Sequence, residues 1–152
     1  MELESLNRSQ DVSLDEKLEK EYRILEEIIQ ELRSREIPED ILVRINTEIN
    51  DINTFPGEGK DLKRKIRAVR TSILKIVEKE LKLVPRNYYR NQWMALGMSV
   101  FGIPLGVVFG SALGNLAFLG IGLPIGMSIG LAVGTNMDQK AQKEGRQLDV
   151  EL

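Results

Sequence analysis

The sequence predicts an all-α membrane protein, with an N-terminal cytoplasmic domain of about three amphipathic helices and a C-terminal two-helix transmembrane hairpin. Three observations lead to this fold class. No Asp, Glu, Lys or Arg occurs from Asn91 to Met137, a run of 47 residues. Within that run, the phrase FGIPLGVVFGSALG is followed twenty residues later by the similar phrase IGLPIGMSIGLAVG. Before it, apolar residues recur at the spacings of three and four that place them on one face of a helix.

The uncharged run has the length and composition of two membrane spans joined by a turn. A spanning helix needs about 20 apolar residues, and a charge at the bilayer centre costs roughly 2.5–3.5 kcal/mol. We place the first span at 92–113, the second at 116–136, and the turn at Gly114 and Asn115, the most flexible and polar point between them. A buried hairpin in a soluble protein is the alternative. The remaining chain is too short and too charged to wrap two helices that are apolar on all sides.

Glycines at spacing four form a row in each half of the repeat. A step of four residues turns slightly more than one full turn of α-helix, so each row is a narrow stripe without side chains. Such stripes let membrane helices approach closely, although glycine is also generally frequent in membrane helices. The predicted helix-packing residues are Gly102, Gly106, Gly110 and Gly114 in the first row and Gly122, Gly126, Gly130 and Gly134 in the second.

Each half of the repeat also contains a proline, which predicts a kink. In an antiparallel hairpin that turns at 114–115, residues at the same depth have numbers that add up to about 229, as those of Pro104 and Pro124 nearly do. Proline removes one helical hydrogen bond. The two kinks are therefore predicted to share one level near the midplane, with glycines of both spans beside them.

Positive charge on both sides of the run predicts the orientation. Lys and Arg precede it and follow it, whereas the connecting segment GNLAF carries no charge. Because positive residues stay cytoplasmic, we expect a multi-pass protein of the cell (inner) membrane with both termini cytoplasmic. Aromatic and basic side chains at the span ends suit the headgroup level, although the rings also suit packing against a soluble domain. The predicted interface residues are Arg86, Tyr88, Tyr89, Arg90, Trp93 and Lys140.

The repeat resembles the glycine-zipper membrane hairpins, small two-span bacterial proteins. The resemblance rests on GIPLGVVFGSALG and GLPIGMSIGLAVG and covers about residues 94–137. The same region is superficially similar to the rotor-ring c subunit of ATP synthases, whose second helix carries an ion-binding carboxylate in mid-membrane. Here the corresponding stretch, 122–130, contains no Asp or Glu. The resemblance therefore implies close helix packing and association, without an ion-carrying role.

The chain before the spans predicts three helices and a division into segments. The apolar stripes contain Leu14, Leu18, Tyr22, Leu25, Ile29 and Leu32, then Ile41, Leu42, Ile45, Ile49 and Ile52, then Leu62, Ile66, Val69, Ile73, Ile76 and Val77. REIPED and NTFPGEG separate them, and Pro85 ends the third. The stripes can close into a bundle or pair with other chains as a coiled coil. We expect a disordered terminus at 1–12, the helical domain at 13–84, an interfacial linker at 85–91, the hairpin at 92–136 and a cytoplasmic tail at 137–152.

The charges of this N-terminal part are divided between two regions. Residues 1–58 carry a net charge of −9, and residues 59–90 carry +8. The basic stretch KDLKRKIRAVR therefore has three possible roles: pairing with the acidic first helix or a plain solvated face, contact with anionic lipid headgroups, or binding of nucleic acid. It lacks the aromatic residues and the motif typical of a nucleic-acid site, so we expect no nucleic-acid partner.

The sequence predicts no catalytic, cofactor or metal site. It has neither cysteine nor histidine, which excludes disulfides and removes the commonest base and metal ligand. No nucleophile–base pair or phosphate-binding loop is recognisable. We expect a non-enzymatic homo-oligomer that associates through its glycine stripes, contacts membrane lipids and presents a cytoplasmic platform to a protein partner. The alternative is an oligomeric pore, but a pore needs polar residues along one face, and the face opposite the glycines is apolar.

Overall fold

The protein folds almost entirely as helices, and two of them are long and apolar enough to cross a membrane. This much of the predicted fold class is confirmed. The computed structural model describes residues 2–7 and 16–152, apart from the side chains of residues 116 and 119. The chain divides into two compact units. The N-terminal unit comprises Met1–Pro85 together with Leu148–Leu152, and the hairpin unit comprises Arg86–Gln147.

Among the described residues of the N-terminal unit, three helices form: α1 (Glu16–Arg33), α2 (Glu39–Asn53) and α3 (Gly59–Leu81). Helix α2 begins directly after Pro38, whose fixed φ suits the start of a helix. Helix α3 ends at Leu81, and the C-cap residue Lys82 adopts a left-handed conformation with φ of 58°. The next residues form β1 (Val84–Pro85), which pairs with β2 (Gln147–Leu148) in a two-stranded sheet.

The predicted stripes of the three helices pack against one another within one chain. Their large aliphatic side chains are withdrawn from solvent; Ile45, Ile66 and Ile73 are completely buried. Leu42 lies at the edge of this core and is only partly buried. Leu14 and the predicted capping residue Ser13 lie outside the described residues.

Both chain ends add apolar side chains to the same core. Leu3 is 7% exposed, so the prediction of a disordered terminus is corrected for residues 2–7, while 8–12 lie outside the described residues. Leu148 is completely buried and Val150 is 2% exposed. The predicted tail is therefore partly a structural element of the N-terminal unit.

The hairpin unit consists of two antiparallel rods. The first contains α4 (Tyr88–Gly97), a π-helical turn (Met98–Gly102) and α5 (Ile103–Ala112). A short 3₁₀ turn (Leu116–Phe118) leads into α6 (Leu119–Lys143). Gly114 makes the reversal with φ of 62°, at the predicted position. The helices are longer than the predicted spans: α4 already begins in the predicted linker, and α6 continues into the predicted tail.

Candidate functional site

The two glycine rows face each other along the hairpin. Seven of the eight predicted glycines are buried, and the eighth, Gly114, lies exposed in the turn. The rows therefore form the contact between the two rods of one chain.

The backbones of the two rods touch at the middle of this contact. A Cβ atom built on Gly122 would lie 2.7 Å from Cα of Gly106, and one built on Gly126 would lie 2.7 Å from Cα of Gly102. Real Cβ atoms do not approach backbone this closely, so only glycine fits at these positions. Both pairs of residue numbers add up to 228, close to the register derived from the sequence. At Gly120, on the same helix, an added Cβ would meet nothing within 4 Å.

The contact continues to the open end of the hairpin, where α6 glycines face backbone that carries side chains. A Cβ built on Gly130 would lie 2.7 Å from the carbonyl carbon of Trp93. One built on Gly134 would lie 2.5 Å from Cα of Arg90. The main chain of the predicted interface residues Trp93 and Arg90 thus packs against α6. Their side chains are left to contact the surroundings.

Gly97 belongs to the same contact and was missed because it breaks the spacing of four. It lies five residues before Gly102, with the π-helical turn between them. In that turn the N–H of Ile103 donates to the carbonyl of Met98, five residues earlier. The wider turn keeps both glycines on one face. A Cβ on Gly97 would lie 2.9 Å from Cα of Gly130. The five-residue step in the first rod therefore faces a four-residue step in α6.

The two prolines, predicted to act alike, occupy different backbone geometries. Pro104 follows the π-helical turn and lies in the first turn of α5. Because Pro104 has no N–H, the carbonyl of Val100 loses its α-helical partner. Val100 lies in the π-helical turn. Pro124 lies inside α6, which continues as one α-helix past it. Ser128 Oγ donates to the carbonyl of Pro124 at 2.8 Å.

Asp138 joins the ends of the two rods through main-chain hydrogen bonds. Its carboxylate accepts from the N–H groups of Tyr89 at 3.0 Å and Arg90 at 2.8 Å, and it is only 7% exposed. These N–H groups lie in the first turn of α4, where helical partners are lacking and the helix dipole favours a negative charge. Asn87, at the N-cap position, makes no side-chain cap bond. The sequence offered one signal for this role: Asp138 is the first charge after the uncharged run.

The predicted interface residues gather at the open end of the hairpin. Tyr88 and Tyr89 pack edge to face, with ring centroids 5.2 Å apart. Their side chains, like those of Arg90 and Trp93, are partly buried, whereas those of Arg86 and Lys140 are exposed. These residues therefore lie together at the end of an apolar rod, and their place at the headgroup level stays a prediction.

Large apolar side chains cover the outside of the hairpin. Val108 is 61% exposed, Val100 56% and Ile103 55%. A soluble protein rarely exposes a continuous surface of this kind. The hairpin therefore has small residues between its rods and large apolar residues on its outer face.

Part of the basic stretch pairs with acidic residues of its own unit. Glu21 of α1, 8% exposed, accepts hydrogen bonds from Arg67 Nε at 2.6 Å and Arg70 Nη1 at 2.7 Å. Burial raises the pKa of the Glu21 carboxyl, but hydrogen bonds and charge from the two arginines outweigh it, so its pKa lies below the usual value. Lys65 Nζ pairs with Asp51 of α2 at 2.7 Å. Pairing with the first helix, one of the alternatives, accounts for Arg67 and Arg70, whereas Lys65 pairs with the second helix.

Comparison of the chain with protein-family models, curated proteins and solved structures finds no match.

Proposed function

We propose that this chain is a non-enzymatic two-pass protein of the cell (inner) membrane that self-associates and presents its N-terminal unit in the cytoplasm as a platform for a protein partner. The distribution of small and large side chains in the hairpin supports the membrane location. Glycines lie between the rods, and side chains such as Val100 and Val108 lie outside, more than half exposed. Lipid tails stabilise this arrangement, because they accept large apolar side chains and leave close backbone contact to hold the helices together.

The chain path supports a cytoplasmic location for both termini. The chain leaves the N-terminal unit after Pro85 and re-enters it at Leu148. Strands β1 and β2, on either side of the hairpin, pair with each other. The two ends of a two-span hairpin therefore return to one folded unit, as they do when both lie on the same side of the bilayer. The positive flanks favour the cytoplasmic side.

Self-association requires a surface that is not part of the contact between the two rods of one chain. The sequence predicts that the glycine rows make the contact between copies. In the structure, these rows pack against each other within one chain. A second row of small residues lies exposed on α6 at the same spacing of four: Gly120, Pro124, Ser128 and Ala132. Small residues allow close approach of membrane helices. We therefore place the contact between copies on this row.

Charged surfaces support the platform role of the N-terminal unit. Its core is closed, while its surface carries acidic and basic side chains in exposed pairs such as Arg44 with Glu80, 3.0 Å apart. A compact unit with a charged exterior suits an interaction with a soluble protein.

Light scattering of the detergent-solubilised protein tests the assembly. We expect an oligomer that Ser128→Leu converts to monomers, because the larger side chain separates the exposed rows while leaving the glycine contact intact. Ser99→Leu, an exposed substitution on the other rod, is the matched control and should keep the oligomer. A wild-type monomer, or an oligomer that Ser128→Leu leaves unchanged, would contradict the proposed contact. Reproducible unitary conductance in planar bilayers would favour the pore instead.

A further inference from the structure

An extended segment, residues 2–7, lies along α2 and is held by two asparagine side chains. Asn46 Oδ1 accepts the N–H of Glu4 at 3.0 Å, and Asn46 Nδ2 donates to the carbonyl of Glu2 at 3.0 Å. One amide side chain therefore satisfies both main-chain groups on either side of Leu3.

Asn53 repeats this arrangement three residues further along the segment. Its Oδ1 accepts the N–H of Asn7 at 2.8 Å, and its Nδ2 donates to the carbonyl of Ser5 at 2.9 Å. The two asparagines are seven residues apart, about 10.5 Å along an α-helix. Three residues of extended chain span about 10 Å. The helix and the segment thus share one repeat length.

Each asparagine brackets one leucine that faces the core. Leu3 is 7% exposed, and Leu6 is partly buried against the same core. The side chains of Glu2, Glu4 and Ser5 are exposed. The surface of α2 therefore contacts the main chain of the segment and two apolar side chains three positions apart.

The segment also borders an open cleft of about 960 Å³. On this side Arg33 Nη2 donates to the carbonyls of Leu3 and Glu4, each at 3.1 Å, and to Ser5 Oγ at 2.9 Å. Residues from the end of α1, the connection after it and the start of α2, including Ile37 and Leu42, form the rest of the wall. One side of the segment is therefore open to an incoming chain.

We propose that Asn46, Asn53 and Arg33 form a binding site for an extended peptide segment, with residues 2–7 as its tethered ligand. A segment of a protein partner with two apolar side chains three positions apart takes their place. Because main-chain hydrogen bonds carry little sequence information, such a segment forms the same bonds as the chain's own terminus. The tethered segment competes at high effective concentration, so it sets a threshold for partner binding. The identification of the ligand as a segment of a protein partner rests on the proposed platform role. Peptide binding itself depends neither on the membrane nor on self-association.

Fluorescence anisotropy with a labelled MELESLN peptide tests the site. The protein, purified in detergent with residues 1–7 deleted, should bind the peptide saturably and at least tenfold more tightly than the intact chain does. Asn46→Ala and Asn53→Ala should each weaken binding at least tenfold, the loss expected when a pair of main-chain hydrogen bonds is removed. Asn50→Ala, an exposed substitution on the same helix, should leave binding unchanged. A peptide carrying Leu3→Ser and Leu6→Ser should bind at least 100-fold more weakly.

Absence of binding by a deletion protein of unchanged helicity would overturn the proposal, as would binding that is insensitive to both asparagines. If the deletion lowers helicity, hydrogen exchange on the intact chain replaces it. Saturating peptide should then accelerate exchange of the Glu4 and Asn7 amides, and unchanged exchange would overturn the proposal. Light scattering and topology of the same protein report separately on the proposed function.

Discussion

The N-terminal unit and the hairpin unit place large and small side chains in opposite positions. In the first, large side chains such as Ile45 and Ile66 are completely buried and charges lie outside. In the second, glycines are buried, and Val100 and Val108 are 56% and 61% exposed. In water, burial of apolar surface contributes about 25 cal/mol per Å² and favours large side chains inside. In lipid that contribution disappears, and close backbone contact takes its place.

The two units should therefore fail for opposite reasons. Removing volume from the core of the N-terminal unit leaves a cavity, whereas adding volume between the rods of the hairpin pushes two backbones apart. Substitutions of each kind, each with a neighbouring control, test whether this difference holds.

The largest effect is expected from Gly122→Leu. Its side chain would meet the backbone of Gly106, which cannot move aside as a flexible side chain can, so we expect a cost of more than about 3 kcal/mol. Spin labels on cysteines at Val107 and Ile121 should report a longer, broader distance distribution. Ser99→Leu, an exposed substitution on the first rod and outside the proposed contact between copies, should leave the distribution unchanged. Equal effects of the two substitutions would refute glycine packing.

Ile45→Ala should cost the N-terminal unit about 2–5 kcal/mol, because it leaves a cavity among completely buried side chains. Val43→Ala, on the exposed side of the same helix, should change the free energy of unfolding by less than about 0.5 kcal/mol. Urea titrations followed by circular dichroism measure both. A small effect at Ile45 would mean that the three stripes do not form this core in solution.

Asp138→Ala should destabilise the open end of the hairpin by about 2–3 kcal/mol, because it removes two hydrogen bonds to a charged group. Hydrogen exchange of the Tyr89 and Arg90 amides should accelerate, while that of amides near the Gly114 turn stays unchanged. Asp138→Asn, which retains a single acceptor oxygen, should have an intermediate effect. Equal exchange in wild type and Asp138→Ala would show that α4 does not depend on this contact.

The smallest effect concerns pH. Because the folded-state pKa of Glu21 lies below its usual value, its ion pairs stabilise the N-terminal unit fully above the usual carboxyl pKa. This stabilisation is lost as the pH falls through the lowered pKa. Glu21→Gln should therefore reduce stability at pH 7 by about 1–2 kcal/mol and flatten its decline in acid. Chemical denaturation across this pH range, with Glu26→Gln as the exposed control, measures the effect. An unchanged acid decline would contradict the assignment.

The two long apolar helices were the most predictable part of the fold, because a stretch of this length without charge is typical of helices that can cross a membrane. The sum rule for residue depth also anticipated which glycines meet: Gly122 lies against Gly106, and Gly126 against Gly102. Gly97 escaped prediction because a period of four cannot accommodate the five-residue step of a π-helical turn. That turn depends on local backbone geometry before Pro104.

Contacts made by single polar side chains were not predictable from periodicity. Asn46 and Asn53 lie on a face that reads as ordinary helix surface, and their partner is an extended segment without a period of its own. Asp138 likewise acts through main-chain atoms 48 and 49 positions away. Such contacts depend on the folded arrangement of distant residues, which no local spacing reveals.

Thiol labelling in intact cells tests most directly the claim that the glycine-packed hairpin sits in the bilayer with both ends inside. The chain contains no cysteine, so each introduced thiol reports on one position. A membrane-impermeant maleimide should label Asn115→Cys from outside, and should label Lys140→Cys only after the cells are opened. Protection of Asn115→Cys in intact cells, or outside labelling of Lys140→Cys, would contradict the account.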